Sequence, residues 1–195
     1  PIRNALNEAI NKIGYRPNSQ MKGVKGLTNR TRIAELLEKG ILRTKYNLFV
    51  YKDGTTRFDA TNASLTNFTP KQINTSLNKL KELGYIKDIC GADLKNEDQV
   101  LELYVQDIIL PYSAAEYLFS VSNFVDKLLI KLYKIDSFYI LIKKEDIIGH
   151  LVIGLAPHTS VGIIGRVIGF TNAQVCFAHP YWHSAKRRDC DGDED

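Results

Sequence analysis

Asp191, Asp193 and Asp195 stand at alternate positions in the closing stretch Cys190-Asp191-Gly192-Asp193-Glu194-Asp195, directly after the basic run Lys186-Arg187-Arg188. Alternate side chains share one side of an extended segment, so these carboxylates can converge on one point if the stretch is a strand end or a tight loop. Gly192 lets the backbone turn there without strain. Hard oxygen donors aimed at one spot suit Mg²⁺ or Mn²⁺, and the neighbouring cations suggest a polyanionic substrate that brings further oxygens to the metal. The competing reading is a solvated acidic tail. An EF-hand is disfavoured, because the run lacks the loop length and the distant bidentate Glu.

Other constellations are weaker. Met21-Lys22-Gly23-Val24-Lys25-Gly26 reads as a loop whose glycines would allow Lys22 and Lys25 close to phosphate, although it lacks the spacing of an ATP-binding P-loop. The alternative is an ordinary solvated loop. Cys176, His179, His183 and Cys190 carry zinc-ligand chemistry, but their spacing matches no common knuckle, and Pro180 is expected to interrupt the helix that would align the histidines. His158, among hydroxyl side chains, reads as a structural loop histidine. No G-x-S-x-G hydrolase signature occurs.

The elements that must position these residues follow from periodicity. With 195 residues, 44% hydrophobic and 25% charged, the chain can bury one large or two small cores. Residues 2–13 carry a helical apolar stripe closed by Gly14, and a second short helix around Ile33, Leu36 and Leu37 is expected to stop at Gly40. Tyr46–Tyr51 and Thr55–Ala60 read as a hairpin across Lys52-Asp53-Gly54. Thr69-Pro70-Lys71-Gln72 predicts a helix start, with a stripe through Ile73, Leu77 and Leu80 to Gly84. Val100–Pro111 reads as one strand. Ser113-Ala114-Ala115-Glu116 opens a helix with Leu118, Val121, Val125, Leu128, Leu129 and Leu132 on its face, and Tyr117, Phe119 and Phe124 serve packing. From Ile147 onward short β-branched runs alternate with Gly149, Gly154, Gly162, Gly165 and Gly169, the style of a compact barrel. That change places an expected boundary between a mixed α/β part, 1–145, and a barrel part, 146–195.

No run of about eighteen apolar residues is present, so no membrane span is expected. Cys90, Cys176 and Cys190 are too few and too scattered for a disulfide framework, which favours free thiols in a reducing cytoplasmic setting. The net charge is +4; the last ten residues hold three cations and five carboxylates, a net of −2, so the body carries +6. A basic body with an acidic end fits a nucleic-acid partner at a metal site. A start at Pro1 and a stop within a charged motif suggest a piece of a longer polypeptide.

The block from Leu155-Ala156-Pro157-His158-Thr159-Ser160 to Gly165-Arg166, then Ala178-His179-Pro180, Ala185-Lys186-Arg187-Arg188 and Cys190 to Asp195, closely resembles the large catalytic subunit of the archaeal D-family DNA polymerase. The similarity runs back through Val100–Ile109 and Phe58-Asp59-Ala60-Thr61 to Lys22-Gly23-Val24-Lys25-Gly26-Leu27, and it is densest over the last forty or so residues. The resemblance implies an α+β fold of mixed helices and hairpins with part of a double-psi β-barrel core, the architecture also found in multisubunit RNA polymerases. It makes Asp191 and Asp193 the catalytic metal-binding pair and Asp195 a third ligand. Asp189 departs from the family, where Asn is expected; an extra carboxylate there would raise repulsion when metal is absent.

The implied reaction is nucleotidyl transfer in DNA replication with Mg²⁺ (or Mn²⁺), in which two ions about 4 Å apart activate the primer hydroxyl and stabilise pyrophosphate. Lys186, Arg187, Arg188 and Arg166 are candidates for triphosphate or template contacts. Zinc modules and a second barrel are expected only outside this stretch, so the piece alone is expected to be inactive. Implied partners are DNA primer-template, deoxynucleoside triphosphates, the small subunit that carries exonuclease activity and completes a heterodimer, and the sliding clamp. Two alternatives stay open: a non-catalytic basic DNA-binding module with an acidic tail, and a metal-dependent nuclease using the same aspartates.

Overall fold

Ile2, Ala5, Leu6, Ala9, Ile10 and Ile13 do form one helix, α1 (Ile2–Ile13), and Gly14 closes it at φ 71° with its N–H on Ile10 O at 2.8 Å. The computed structural model describes residues 2–27, 30, 34–155 and 162–187. Their contacts gather into two compact units, 1–57 with 117–142 and 58–116 with 143–195. This is a different partition from a cut at 145.

In the first unit α1 packs on α2 (Leu37–Lys45) through a core that includes Ala9, Ile13, Ile41, Leu42, Leu48 and Phe124. α2 does not stop at Gly40 as expected. Burying Ile41 and Leu42 beyond it outweighs the roughly 1 kcal/mol that a helical glycine costs. The left-handed residue after the helix is Asn47, at φ 54°. The expected hairpin is also corrected. Its turn forms, with the Gly54 N–H on Tyr51 O at 2.8 Å, but β2 (Val50–Tyr51) pairs in parallel with β1 (Val24–Lys25). Asp53 Oδ1 accepts from the Thr55 N–H (3.1 Å) and hydroxyl (2.7 Å), a local capture that competes with a second strand.

The second unit is built on a five-stranded sheet of β3 (Thr61–Ser64), β6 (Asp107–Pro111), β7 (Leu151–Gly154), β8 (Ile163–Thr171) and β9 (Val175–Ala178) in the order β3-β9-β6-β8-β7. β6 lies parallel to β8 and β3 to β9, while β9 runs antiparallel to β6 and β7 to β8. Every residue of β6 is buried, as its continuous Ile108-Ile109-Leu110 run demands. The strand expected over 100–111 is in fact two, because β5 (Leu101–Glu102) pairs instead with β4 (Asn67–Phe68).

The helix expected from Thr69 begins later, as α3 (Leu77–Glu82). Gln72 does accept the Thr69 N–H at 2.9 Å, half of the anticipated capping box. The chain then breaks at Asn74 (φ 51°), because Ile73 and Thr75 are held by β8: the Phe170 N–H reaches Ile73 O at 3.0 Å and the Thr75 hydroxyl reaches Ile168 O at 2.8 Å. Gly169 permits this approach, since a Cβ there would sit 2.7 Å from Ile73 O. The next helix, α4 (Tyr112–Leu128), starts one residue before Ser113, whose hydroxyl donates to Gln174 rather than capping. Val121, Phe124, Val125 and Leu128 pack into the first unit's core as their spacing predicts. The fold is mixed α+β, and no helix among the described residues is long and apolar enough to cross a membrane.

Candidate metal and nucleic-acid site

The chain enters the basic run through α5 (Pro180–Ala185). Pro180 begins this helix rather than interrupting one, because its fixed φ suits the first helical position and it has no N–H to leave unpaired. His179 caps it, Nδ1 accepting the Tyr181 N–H at 3.1 Å. α5 is seated by Trp182, whose Nε1–H donates to Ile164 O at 3.1 Å. The indole lies where two glycines leave room: a Cβ at Gly154 would come within 2.4 Å of the ring, and one at Gly165 within 3.1 Å. Two of the glycines that gave this region its barrel-like style are thus the floor under a tryptophan.

One turn on from Trp182, Lys186 falls on the same face and is buried. Its Nζ donates to Asn62 Oδ1 at 3.3 Å and lies 4.3 Å from the Trp182 ring centroid. An ammonium taken out of water needs such partners, or it costs several kcal/mol. His183 is buried beside it with Nε2 3.1 Å from Ala63 O. Burial lowers its pKa, the Ala63 contact opposes this and Lys186 adds to it, so the ring is neutral and Nε2–H donates. Arg187, by contrast, is exposed, in a left-handed conformation at φ 58°. Arg188, Asp189, Cys190, Asp191, Asp193 and Asp195 lie outside the described residues, as does His158.

Arg166 is committed to the start of β6. Its Nε and Nη2 donate to the two oxygens of buried Asp107, each at 2.8 Å, and the Tyr85 hydroxyl donates to the same carboxylate at 2.6 Å. Burial and the Asp107 carboxylate push the Tyr85 pKa up, and the hydrogen bonds to Asp107 raise that of Arg166. The pair borders an open cleft of about 410 Å³ that Tyr104 and Gln106 also line.

No three His, Cys, Asp or Glu residues gather to hold a metal among the described residues, and His179 and His183 are engaged separately, by the Tyr181 N–H and by Ala63 O. Cys176 is buried in β9, and that burial pushes its thiol up to about 11. Cys90 and Cys176 are free thiols.

Lys22 and Lys25 belong to the first unit, and Lys25 lies in β1 rather than in a loop. Lys22 Nζ donates to Asn47 Oδ1 and sits 3.9 Å from the Phe49 ring centroid, with Lys25 Nζ at 4.0 Å from the same ring. Sequence reasoning found both lysines and missed the ring between them. The available signal was the placing of two aromatic residues at alternate positions in Leu48-Phe49-Val50-Tyr51.

In the sequence, α5 of this mixed α+β unit is followed by the basic run and by three aspartates at alternate positions. Residues 14–195 match the model of a family described as the DNA polymerase II large subunit DP2, catalytic domain. DNA polymerase II large subunits are similar over nearly all of this chain: that of Archaeoglobus fulgidus is 57% identical over 100% of it and 17% of its own length. Those of Pyrococcus furiosus (55% over 97%, 15% of its own length) and Thermococcus kodakarensis (55% over 95%, 10% of its own length) agree. The chain belongs to the DNA polymerase II large subunit family, as its resemblance to the D-family subunit implied. It spans about a sixth or less of the length of these relatives.

Proposed function

We propose that this chain is part of the catalytic core of a DNA-directed DNA polymerase that performs metal-dependent nucleotidyl transfer in DNA replication. The observation that carries this reading is a match to the catalytic domain that extends through the acidic stretch to residue 195. Carboxylates at alternate positions are a donor set for a hard cation, so Asp191 and Asp193 would hold Mg²⁺ or Mn²⁺ with Asp195 as a third ligand. When bound there, the metal would act as a Lewis acid toward the attacking and leaving oxygens. Arg187 and Arg188 are the cations we assign to triphosphate or template phosphates. Lys186 and Arg166, also candidates by sequence, have their charged groups engaged by Asn62 and Trp182 and by Asp107, which favours roles in holding α5 and the β6–β8 pair.

The five-stranded sheet, with its parallel β6–β8 pair, would be this chain's share of a double-psi β-barrel. Primer-template, deoxynucleoside triphosphates, the small subunit and the sliding clamp are the proposed partners, with zinc modules and the second barrel elsewhere in the subunit. In the full-length subunit Asp191→Asn or Asp193→Asn should abolish most incorporation of labelled nucleotide while DNA binding persists, because the basic surface is untouched. Near-normal turnover in both variants would overturn the assignment.

A further inference from the structure

We infer that Phe49 and Tyr51 form a stacking platform for single-stranded DNA, flanked by Lys22, Lys25 and Arg57, on the first unit of the chain. The inference rests on the polymerase reading and adds a binding mode to it. Phe49 is 41% exposed although Leu48 beside it is 1% exposed, so the ring is turned outward by choice of side and not for want of a core. Phe49 and Tyr51 share a face, since Lys25 Nζ lies 4.0 Å from the Phe49 ring centroid and 5.6 Å from that of Tyr51. Cations crowd that face. Lys22 Nζ and Lys25 Nζ lie 3.9 and 4.0 Å from the Phe49 centroid, and the Arg57 guanidinium carbon lies 4.2 Å from that of Tyr51. The Asp53 carboxylate is paired with Arg57 at 2.7 Å.

Accessible rings interleaved with cations are what a nucleic-acid single strand recognises: bases stack on the rings and the cations take the phosphates. A lysine over an exposed ring gains less than a stacked base does. A strand can therefore displace the ammonium groups from Phe49 and be rewarded twice, by the stack and by the freed cations at its backbone. Duplex DNA, with its bases already stacked, can use only the cations. An acidic protein segment would likewise use the cations and gain nothing specific from an aromatic ring.

The test is photocrosslinking and titration of the full-length subunit with an oligothymidylate carrying 5-bromodeoxyuridine. The crosslink should map to Phe49 or Tyr51. Phe49→Leu, which keeps an apolar side chain, should weaken single-strand affinity by about 5- to 100-fold without altering its salt slope, and Phe49→Trp should restore it. The Lys22→Ala, Lys25→Ala variant should instead shallow the slope of log affinity against log salt by about 1.4, at about 0.7 per single-strand phosphate. A crosslink elsewhere with binding intact, or Phe49→Leu and wild type binding alike, overturns the platform. Asp193→Asn should leave the crosslink in place, so failure of the aspartate assignment and failure of the platform are told apart.

Discussion

Asp107 joins three structural elements through one carboxylate, and its removal has a cost that can be worked out in advance. Asp107→Ala deletes the acceptor for two hydrogen bonds from Arg166 and one from Tyr85. Tyr85 is 2% exposed, so its hydroxyl proton finds no water in exchange; a buried donor left unsatisfied costs about 1–3 kcal/mol. The Arg166 side chain is 28% exposed and regains part of its hydration, which brings the usual cost of breaking a buried pair, about 3–5 kcal/mol, to its lower end. The expected loss is roughly 3 kcal/mol. Tyr85→Phe removes one bond to a charged acceptor, and the Tyr104 N–H that donates to the same hydroxyl at 3.2 Å loses its partner; roughly 2 kcal/mol is expected. Because the two residues share a bond, the double variant should fall short of the sum by on the order of 1 kcal/mol. Urea unfolding followed by Trp182, the single tryptophan, reports on this unit directly. Additive costs, or an Asp107→Ala loss under about 0.5 kcal/mol, would refute the reasoning.

The remaining predictions concern the floor of α5 and the buried thiol. Gly154→Val would drive a side chain into the Trp182 ring; a loss of about 1–3 kcal/mol and a red-shifted tryptophan emission are expected, and an unshifted spectrum counts against the seat. Cys90 should be alkylated by iodoacetamide well before Cys176, since one is exposed and the other buried. The folded Cys176 thiol titrates near 11 and an unfolded thiol near about 8.5, so between these values the unfolded chain loses a proton that the folded chain keeps. Stability from this residue is therefore level below about pH 8.5 and falls by a few kcal/mol as pH rises toward 11; Cys176→Ala should remove that portion of the decline.

What was legible in the sequence was local, and what was not depended on partners far along the chain. α1 follows from its own periodicity and its closing glycine, and the core face of α4 from its spacing. The helix expected at Thr69 failed because residues around Asn74 serve β8, nearly a hundred positions later, and nothing within the segment announces that. Gly40 looked like a stop signal, yet tertiary burial of Ile41 and Leu42 overrode it. The glycines after Ile147 were correctly singled out, but two of them answer to a ring in α5 rather than to bends in the strands. The spacing of the aspartates left a metal motif and a solvated acidic tail both open; the nucleotidyl-transfer reading proposed for them came only with the family.

The basic run shows the same limit within three residues. Lys186, Arg187 and Arg188 read along the chain as one cationic patch, and a patch is what phosphate binding would use. Local geometry divides them. Lys186 is four residues beyond Trp182, so it shares the buried face and lies over the indole, while the left-handed turn at Arg187 (φ 58°) takes the chain off the helical path and leaves that side chain exposed. The i, i+4 relation between a tryptophan and a lysine was the available clue. A cation fixed by Asn62 and Trp182 cannot move to meet a phosphate without giving up both, and leaving Asn62 Oδ1 without its donor in a buried place would cost more than an exposed phosphate contact returns. Lys186 is thus spent on rigidity at the point where the chain leaves α5. Residues that must hold ligand geometry are best carried by such an element, since an error of about 1 Å at a metal-binding group is enough to lose most of its effect.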